Sequence, residues 1–491
     1  LYTRSQIVSV CALLALAGLV AGLAWRSAFQ EVAWPDECIY LVGARNIVER
    51  GTLDTNYYLT HSILLRGHPH RDVHLPGFIF ALAPFVRAFG TTLAAGVVLN
   101  VLAFLASTVL VYAIARRVLQ DDAQALTAAA LFTLLPPFPG YLAIVYPEHA
   151  VALALLAGLA CLVRGGGTGH AALAGAIFAA GALLRESLVL AAPFFLAWIP
   201  RKALLRGFLP AALATLLIVV FPFARERAIH PNALYVGALE EARRSDAPVA
   251  TLVGTLLGNV ETNLALLARA DPLSNPEDTT LLFIVLLVLA AAAGVRNMPP
   301  QGRRLAVGAF TSFALLTLAI LPLYVIRERG GVWGGVRACM ALLPVFLVLA
   351  TPLLFRSARR SVRVALILAT AALFGSLDAG QIRFFNRYKG SDHEDQDRHA
   401  RTIARYVDAH RPRRIVARSF LYGLTHYPVE VVWGLPKDHA ELVALEQAIP
   451  YDFMVIHWKS PLRLFFVRNP RYQRVNRDDR DAEMLIWRRL Y

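Results

Sequence analysis

Phe78-Ile79-Phe80-Ala81-Leu82-Ala83-Pro84-Phe85-Val86-Arg87-Ala88-Phe89 is the stretch on which the reading of the whole chain turns. It is apolar, yet it has only about a dozen residues and carries Pro84 and Arg87 inside it, whereas a helix crossing a bilayer needs about 20. That length suits a helix lying along a membrane surface, or one that enters and leaves on the same side. Each apolar run that crosses inverts the side of every later loop, so this one stretch sets the topology. If it does not cross, the basic turns at Arg116-Arg117, Arg164, Arg201-Lys202 with Arg206, Arg296 with Arg303-Arg304, and Arg356 with Arg359, Arg360 and Arg363 share one side. Lys and Arg concentrate in the short cytoplasmic loops of membrane proteins, so that solution is self-consistent. If it crosses, all of those clusters fall outside.

Composition agrees that the chain belongs in a membrane. Its 491 residues are 57% hydrophobic and 17% charged, with mean hydropathy +0.52, against about a quarter charged in soluble domains. The net charge of +15 does not make a nucleic-acid face, because most Lys and Arg before the last hundred or so residues lie in short clusters between apolar runs. Cys11, Cys38, Cys161 and Cys339 have neither metal nor disulfide-framework spacing. The first run, Ile7 to Ala24, lacks a small-residue cleavage site and reads as a retained span.

The expected spans are 6–28, 93–115, 125–143, 149–163, 170–184, 187–199, 207–223, 279–295, 305–325, 338–355 and 364–380, about eleven in all. The fold class is therefore a mainly α polytopic membrane protein, with a transmembrane catalytic module over 1–380. Its large outer connections are 29–92 and 225–277. From Gln381 the composition changes, and strands at 415–417, 429–433, 453–457 and 484–487 alternate with helices at 400–410 and 439–448. That alternation predicts a small α/β domain over 381–491, on the same side as the first outer connection.

One face then collects chemistry. Trp34-Pro35-Asp36-Glu37-Cys38-Ile39-Tyr40 follows the first span, and two carboxylates at a membrane boundary are costly without a partner or a task. A carboxylate can serve as general base toward a hydroxyl or amine. The same face holds Glu148, Arg185-Glu186, Arg327-Glu328-Arg329 and Gly330-Gly331-Val332-Trp333-Gly334-Gly335-Val336-Arg337. Guanidinium forks match phosphate, and glycines around Trp333 permit close backbone approach. A base beside a phosphate clamp at headgroup level fits a lipid-phosphate donor. Arg185-Glu186 reads equally well as a helix-end ion pair, Arg327-Glu328-Arg329 as a solvated turn, and Arg337 as a headgroup anchor. His68-Pro69-His70-Arg71-Asp72-Val73-His74 has no recognised ligand spacing, and Pro69 breaks helical geometry. No metal ligands are assigned; a divalent metal stays open as a cofactor without a ligand set. Asp392-His393-Glu394-Asp395 reads as a solvated linker.

Taken together, these motifs resemble the GT-C glycosyltransferases, in particular the bacterial group of protein O-mannosyltransferases and the lipid A aminoarabinose transferase. The resemblance rests on Trp34-x-Asp36-Glu37-x-x-Tyr40 with Ala44 and Gly51, on His74-Leu75-Pro76-Gly77 before a short helix ending Phe89-Gly90, and on Ala115-Arg116-Arg117. It continues through Leu134-Leu135-Pro136, Tyr146-Pro147-Glu148, Leu183-Leu184-Arg185-Glu186-Ser187 and the Gly330–Arg337 segment before Leu342-Leu343-Pro344. It implies an inverting hexosyl- or pentosyltransferase using a polyprenyl-phosphate-linked donor. The implied acceptor is an envelope glycan, lipid A or lipopolysaccharide, or a protein. The implied location is the bacterial inner membrane, with the active site and the last domain periplasmic. Asp36 is the implied base, with Glu37 beside it. Arg337, His74, Arg185 and Arg327 are implied for the donor phosphate, and Glu148, Tyr40 and Trp333 for substrate, with Tyr40 expected to pack against the first span. Relatives place an acidic metal ligand where Val73 stands here. Two alternatives remain: an O-antigen-ligase-like transferase using a pyrophosphate-linked glycan, and a transporter or flippase for a lipid-linked substrate. A transporter would carry ionisable groups in mid-span and inverted repeats.

This topology makes a prediction for reporter fusions. Tags after Tyr491 and within 225–277 should report periplasmic, and one beside Arg303 cytoplasmic. A cytoplasmic C-terminus would overturn the assignment of 78–89.

Overall fold

Residues 78–89 fold within a helix, Pro76–Phe89, of 14 residues. At 1.5 Å per residue it spans about 21 Å, short of the roughly 30 Å hydrocarbon core. Phe78, Ile79, Leu82, Ala83 and Val86 are buried along it, which is the pattern of a helix packed on protein.

The computed structural model describes residues 4–28, 35–53, 55, 57–60, 63–64, 76–165, 167–224, 247, 254, 276–296, 298–319, 337, 339–357, 359–391, 403–417, 429–433, 435–457, 459–460, 462–476 and 484–490. In chain order the principal elements are α1 Arg4–Ala28, α2 Pro35–Arg50, β1 Tyr57–Leu59, α3 Pro76–Phe89, α4 Leu93–Leu119, α5 Asp122–Phe132, α6 Glu148–Arg164 and α7 Thr168–Leu184. Then follow α8 Ala192–Leu196, α9 Leu209–Ala224, α10 Pro276–Val295, α11 Pro300–Ala319, α12 Leu343–Ala350 and α13 Arg360–Ser391. The chain closes with β2 Arg414–Ala417, β3 Glu430–Trp433, α14 His439–Ala448, β4 Phe453–His457, α15 Arg463–Arg468, β5 Tyr472–Arg474 and β6 Met484–Arg489. The described residues fall into two compact units. One is drawn from Leu1–Ala28, Val97–Pro222 and Leu234–Asn386, the other from Phe29–Gly96, Phe223–Ala233 and Arg387–Tyr491.

The first unit is helical. Among the described residues, three helices have an apolar stretch long enough to cross a bilayer, Gln6–Leu23, Leu93–Leu119 and Arg360–Ala379. Several other expected spans are interrupted, and proline is the reason. The run 125–143 stops at Phe132, where Thr133, Leu134 and Leu135 make tightened bonds to the carbonyls three residues back, and Pro136, Pro137 and Pro139 supply no N–H to continue the ladder. The expected spans 187–199 and 338–355 each divide into α and 3₁₀ pieces, with Pro193, Pro344 and Pro352 in them. Close helix contact is set by small residues: α10 lies against α12 where a Cβ at Gly294 would overlap the Leu349 carbonyl.

The second unit holds one six-stranded sheet in the order β1-β3-β2-β4-β6-β5. β1, β3, β2 and β4 run parallel, and β6 and β5 are antiparallel additions. The sequence places an α/β domain in 381–491; the sheet takes its edge strand β1 from the first long connection. That strand covers an edge of β3 that would otherwise be open to foreign strands. Both sheet faces are buried, as parallel sheets require. Ile415, Ala417, Val431, Phe453, Val455 and Ile486 share one cluster with Cys38, Ile39 and Val42 of α2. Val416, Val432, Met454 and Trp487 share the other with Leu442 and Leu445 of α14 and Phe466 of α15.

Helix α2 is thus held on two sides. Cys38, Ile39 and Val42 face the sheet, while Tyr40 meets Phe78 of α3 edge-on at 4.9 Å. Gly43 lies under Ile79, whose Cδ1 would be 2.9 Å from an added Cβ. Gly51, at φ 66°, ends the helix with its N–H on the Ile47 carbonyl at 3.1 Å.

Gly43 gives a stability prediction. Gly43→Ala should be tolerated, because the Ile79 tip can rotate away, whereas Gly43→Val should destabilise by about 1–3 kcal/mol through overpacking. Thermal unfolding of the purified protein in detergent checks the order of the two.

Candidate functional site

The turn between α5 and α6 brings Tyr146-Pro147 to the start of a buried helix. Asn100 of α4 donates its Nδ2 to the Ile144 carbonyl at 2.6 Å, fixing the approach, and Val151 N–H bonds the Pro147 carbonyl at 2.8 Å to begin the helical ladder. Glu148 is the first residue of α6, where the helix dipole favours an anion. It is 2% exposed. A carboxylate so placed requires cationic partners, and it has two.

Arg185, where the chain leaves α7, donates Nη1 to Glu148 Oε1. Arg337 donates Nε to the same oxygen at 2.6 Å. The Arg337 guanidinium also lies 4.0 Å over the Tyr146 ring, within cation–π range. One carboxylate oxygen therefore gathers two guanidinium groups from positions 37 and 189 residues along the chain. Glu148 Oε2 is buried and has no hydrogen-bond partner among the described residues. Around this cluster the packing is aromatic. His149 is buried and meets Phe138 at 5.5 Å and Phe104 at 5.9 Å.

The carboxylate pair of the first connection lies in the second unit. Pro35 opens α2, with Asp36 and Glu37 in its first turn. This is the favoured order, with proline first and acids next, at a helix N-terminus. Glu37 is fully buried and Asp36 is partly exposed, so of the two it is Asp36 that reaches solvent. At 100° per residue Asp36 shares a face with Tyr40 and Gly43, the face on which α3 packs.

The structure therefore brings Glu148, Arg185 and Arg337 into direct contact, three residues that the sequence places on one side without linking them. Arg185 engages Glu148, so a local pair with Glu186 is not needed to explain it. Tyr40 is a correction: it packs on Phe78 of α3, where the first span was expected, because its helical phase turns it toward α3. Asn100 and His149 were not singled out from sequence; a buried Asn inside an apolar run was the available signal. His74, Arg327, Trp333 and most of 225–277 lie outside the described residues. Among the described residues no group of three or more His, Cys, Asp or Glu could hold a metal ion.

Residues 68–224 match the family model described as dolichyl-phosphate-mannose-protein mannosyltransferase. The structure is similar to that of ArnT from Cupriavidus metallidurans bound to undecaprenyl phosphate, with TM-score 0.62 and 13% identity over 99% of this chain and 98% of that one. The apo state of the same protein gives TM-score 0.53 at 14% identity, with the same coverage. An Archaeoglobus fulgidus oligosaccharyltransferase, in complex with Zn and sulfate, gives 0.51 at 14% identity over 91% of this chain and 68% of that one. No curated protein matches the sequence. The chain therefore shares the fold of these solved structures.

The buried cluster makes a prediction of its own. Glu148→Ala leaves two guanidiniums without their carboxylate and should destabilise by about 3–5 kcal/mol. Glu148→Gln keeps an acceptor oxygen and should cost less. Unfolding midpoints in detergent measure both; a Glu148→Ala protein as stable as the parent would contradict the cluster.

Proposed function

We propose that this GT-C chain is an inverting glycosyltransferase, moving a hexose or pentose from a polyprenyl-phosphate-linked donor to an acceptor in the cell envelope. The observation that carries the reading is the gathering of Arg185 and Arg337 on one oxygen of Glu148. Glu148 draws an N–H of each guanidinium onto one oxygen. The carboxylate thus presets the orientation of two planar forks of the kind that recognise phosphate. The ring of Tyr146 under Arg337 holds one fork flat.

The roles follow from the chemistry of a single displacement. An acceptor hydroxyl or amine attacks the anomeric carbon, forming the new bond as the bond to the phosphate oxygen breaks with inversion. The electron pair of the broken bond goes to the phosphate, whose charge grows by one. Arg337 and Arg185 stabilise that charge, with His74 and Arg327 as further donor-phosphate contacts and Trp333 at the substrate. Asp36 takes the proton released by the acceptor. Buried Glu37 orients the first turn of α2, and Tyr40 supports it through Phe78.

The acceptor is an envelope glycan, lipid A or lipopolysaccharide, or a protein. The body makes about eleven crossings of the bacterial inner membrane, with the active site and the sheet domain periplasmic. Basic turns on one side of the membrane support that orientation. The match to a dolichyl-phosphate-mannose-protein mannosyltransferase model supports a lipid-phosphate sugar as donor.

Single-turnover transfer from a polyprenyl phosphoryl sugar tests the base. Asp36→Asn keeps the shape and cannot accept the proton, so transfer should fall by about 10²–10⁴-fold with donor binding retained. Glu37→Gln should do less. Normal turnover in Asp36→Asn would remove the assignment.

A further inference from the structure

The sheet domain and the segment carrying Asp36 form one packing unit. α2 presents Cys38, Ile39 and Val42 to the same cluster that contains Ile415, Val431, Phe453 and Ile486 of the sheet, and Cys38 is fully buried. Past the turn at Gly51 the chain joins the sheet as β1, in register Tyr57 with Val431, Tyr58 with Val432 and Leu59 with Trp433. A strand of three residues at a sheet edge has little stability of its own, so something must hold it.

Arg414 does so from two strands away. It is 7% exposed and lies on β2, whose neighbour is β3. Its guanidinium donates Nη2 to Glu430 of β3 and Nη1 to the Pro450 carbonyl ahead of β4. Its carbon centre is 5.3 Å from the centroid of the Tyr58 ring on β1, a cation–π distance. One planar group therefore joins β1, β3, β2 and the approach to β4. A lysine could not span the Glu430 carboxylate and the Pro450 carbonyl and cover the ring at once.

We propose that the C-terminal α/β domain is the positioning platform for the Asp36 helix, and that Arg414 and Tyr58 are the positioning residues that lock β1, and with it α2, to the sheet. The inference rests on Asp36 being the base, and it gives the domain a task in the transfer step. A misplacement of about 1 Å by a remote change can cost about a hundredfold in rate, so loss of the lock should be visible in turnover.

The full-length protein with Cys11→Ser, in detergent or nanodiscs, gives two independent readouts. The first is the rate at which a water-soluble maleimide alkylates Cys38, mapped by mass spectrometry. The second is single-turnover transfer from a polyprenyl phosphoryl pentose or hexose that the parent turns over, with donor KM measured in parallel. In Tyr58→Leu, Cys38 should react at least about tenfold faster and turnover should fall about ten- to a hundredfold, with donor KM unchanged. Tyr58→Phe keeps the ring and should restore both. Arg414→Lys should behave as Tyr58→Leu does, which gives the answer separately if the leucine variant does not fold. In an Asp36→Asn background Tyr58→Leu should cost nothing further, because both changes act on one group.

Full turnover in both Tyr58→Leu and Arg414→Lys would overturn the proposal. So would a loss of turnover with Cys38 still protected, or a loss that multiplies with that of Asp36→Asn. These outcomes leave the base assignment standing. A parental rate in Asp36→Asn alone removes the base assignment itself, and the positioning proposal with it.

Discussion

The helical body depends on a carboxylate in an unfavourable place. Glu148, at the buried start of α6, has both guanidiniums on one oxygen, and neither arginine comes from a neighbouring turn. Charges taken out of water cost several kcal/mol each, even after relaxation, unless geometry and hydrogen bonds offset the loss. The contact between α6, the end of α7 and the residue before the 340–355 segment is therefore specified by chemistry that an apolar core would not specify. Replacing the three by hydrophobic residues could give an equally stable protein. Under the proposed function, what such a cluster would present is two oriented forks to the phosphate that leaves the sugar.

The second unit follows a different logic. Its sheet is apolar on both faces, and α2 occupies part of one of them, so the acid-bearing first turn is positioned by ordinary packing. Tyr40 on Phe78, Gly43 under Ile79 and Cys38 on the sheet leave α2 little freedom to rotate. In the proposed role of Asp36 that rigidity would matter, because a general base acts only within hydrogen-bond reach of the proton it removes. Glu37, one residue on and turned by about 100°, is buried, which separates the environments of two residues that look equivalent in sequence.

Much of this was legible in the chain. Length and the two internal breakers Pro84 and Arg87 marked 78–89 as a short helix, and it folds within one of 14 residues, Pro76–Phe89; the alternation after Gln381 marked the strands of the last domain. Periodic apolar runs did not reveal where helices stop. The prolines at 136, 137 and 139 were read as part of a span, although each removes a donor that a helix needs. The membership of β1 in the sheet was invisible because three residues carry no periodicity, and pairing across more than 370 positions leaves no local mark. The Glu148–Arg185–Arg337 contact was hidden for the same reason. Each residue was suspect alone, and only the packing of α6 against its neighbours shows that they share one oxygen.

The claim that these arginines hold a lipid phosphate can be measured without knowing the sugar or the acceptor. Equilibrium binding of undecaprenyl phosphate to the protein in nanodiscs, for the parent, Arg337→Lys and Arg337→Ala, tests it most directly. Loss of a charge-assisted hydrogen bond of roughly 1.5–3 kcal/mol predicts about ten- to a hundredfold weaker binding for alanine, with lysine between it and the parent. Equal affinity in all three would contradict the account, leaving Arg337 as a structural partner of Glu148 and Tyr146.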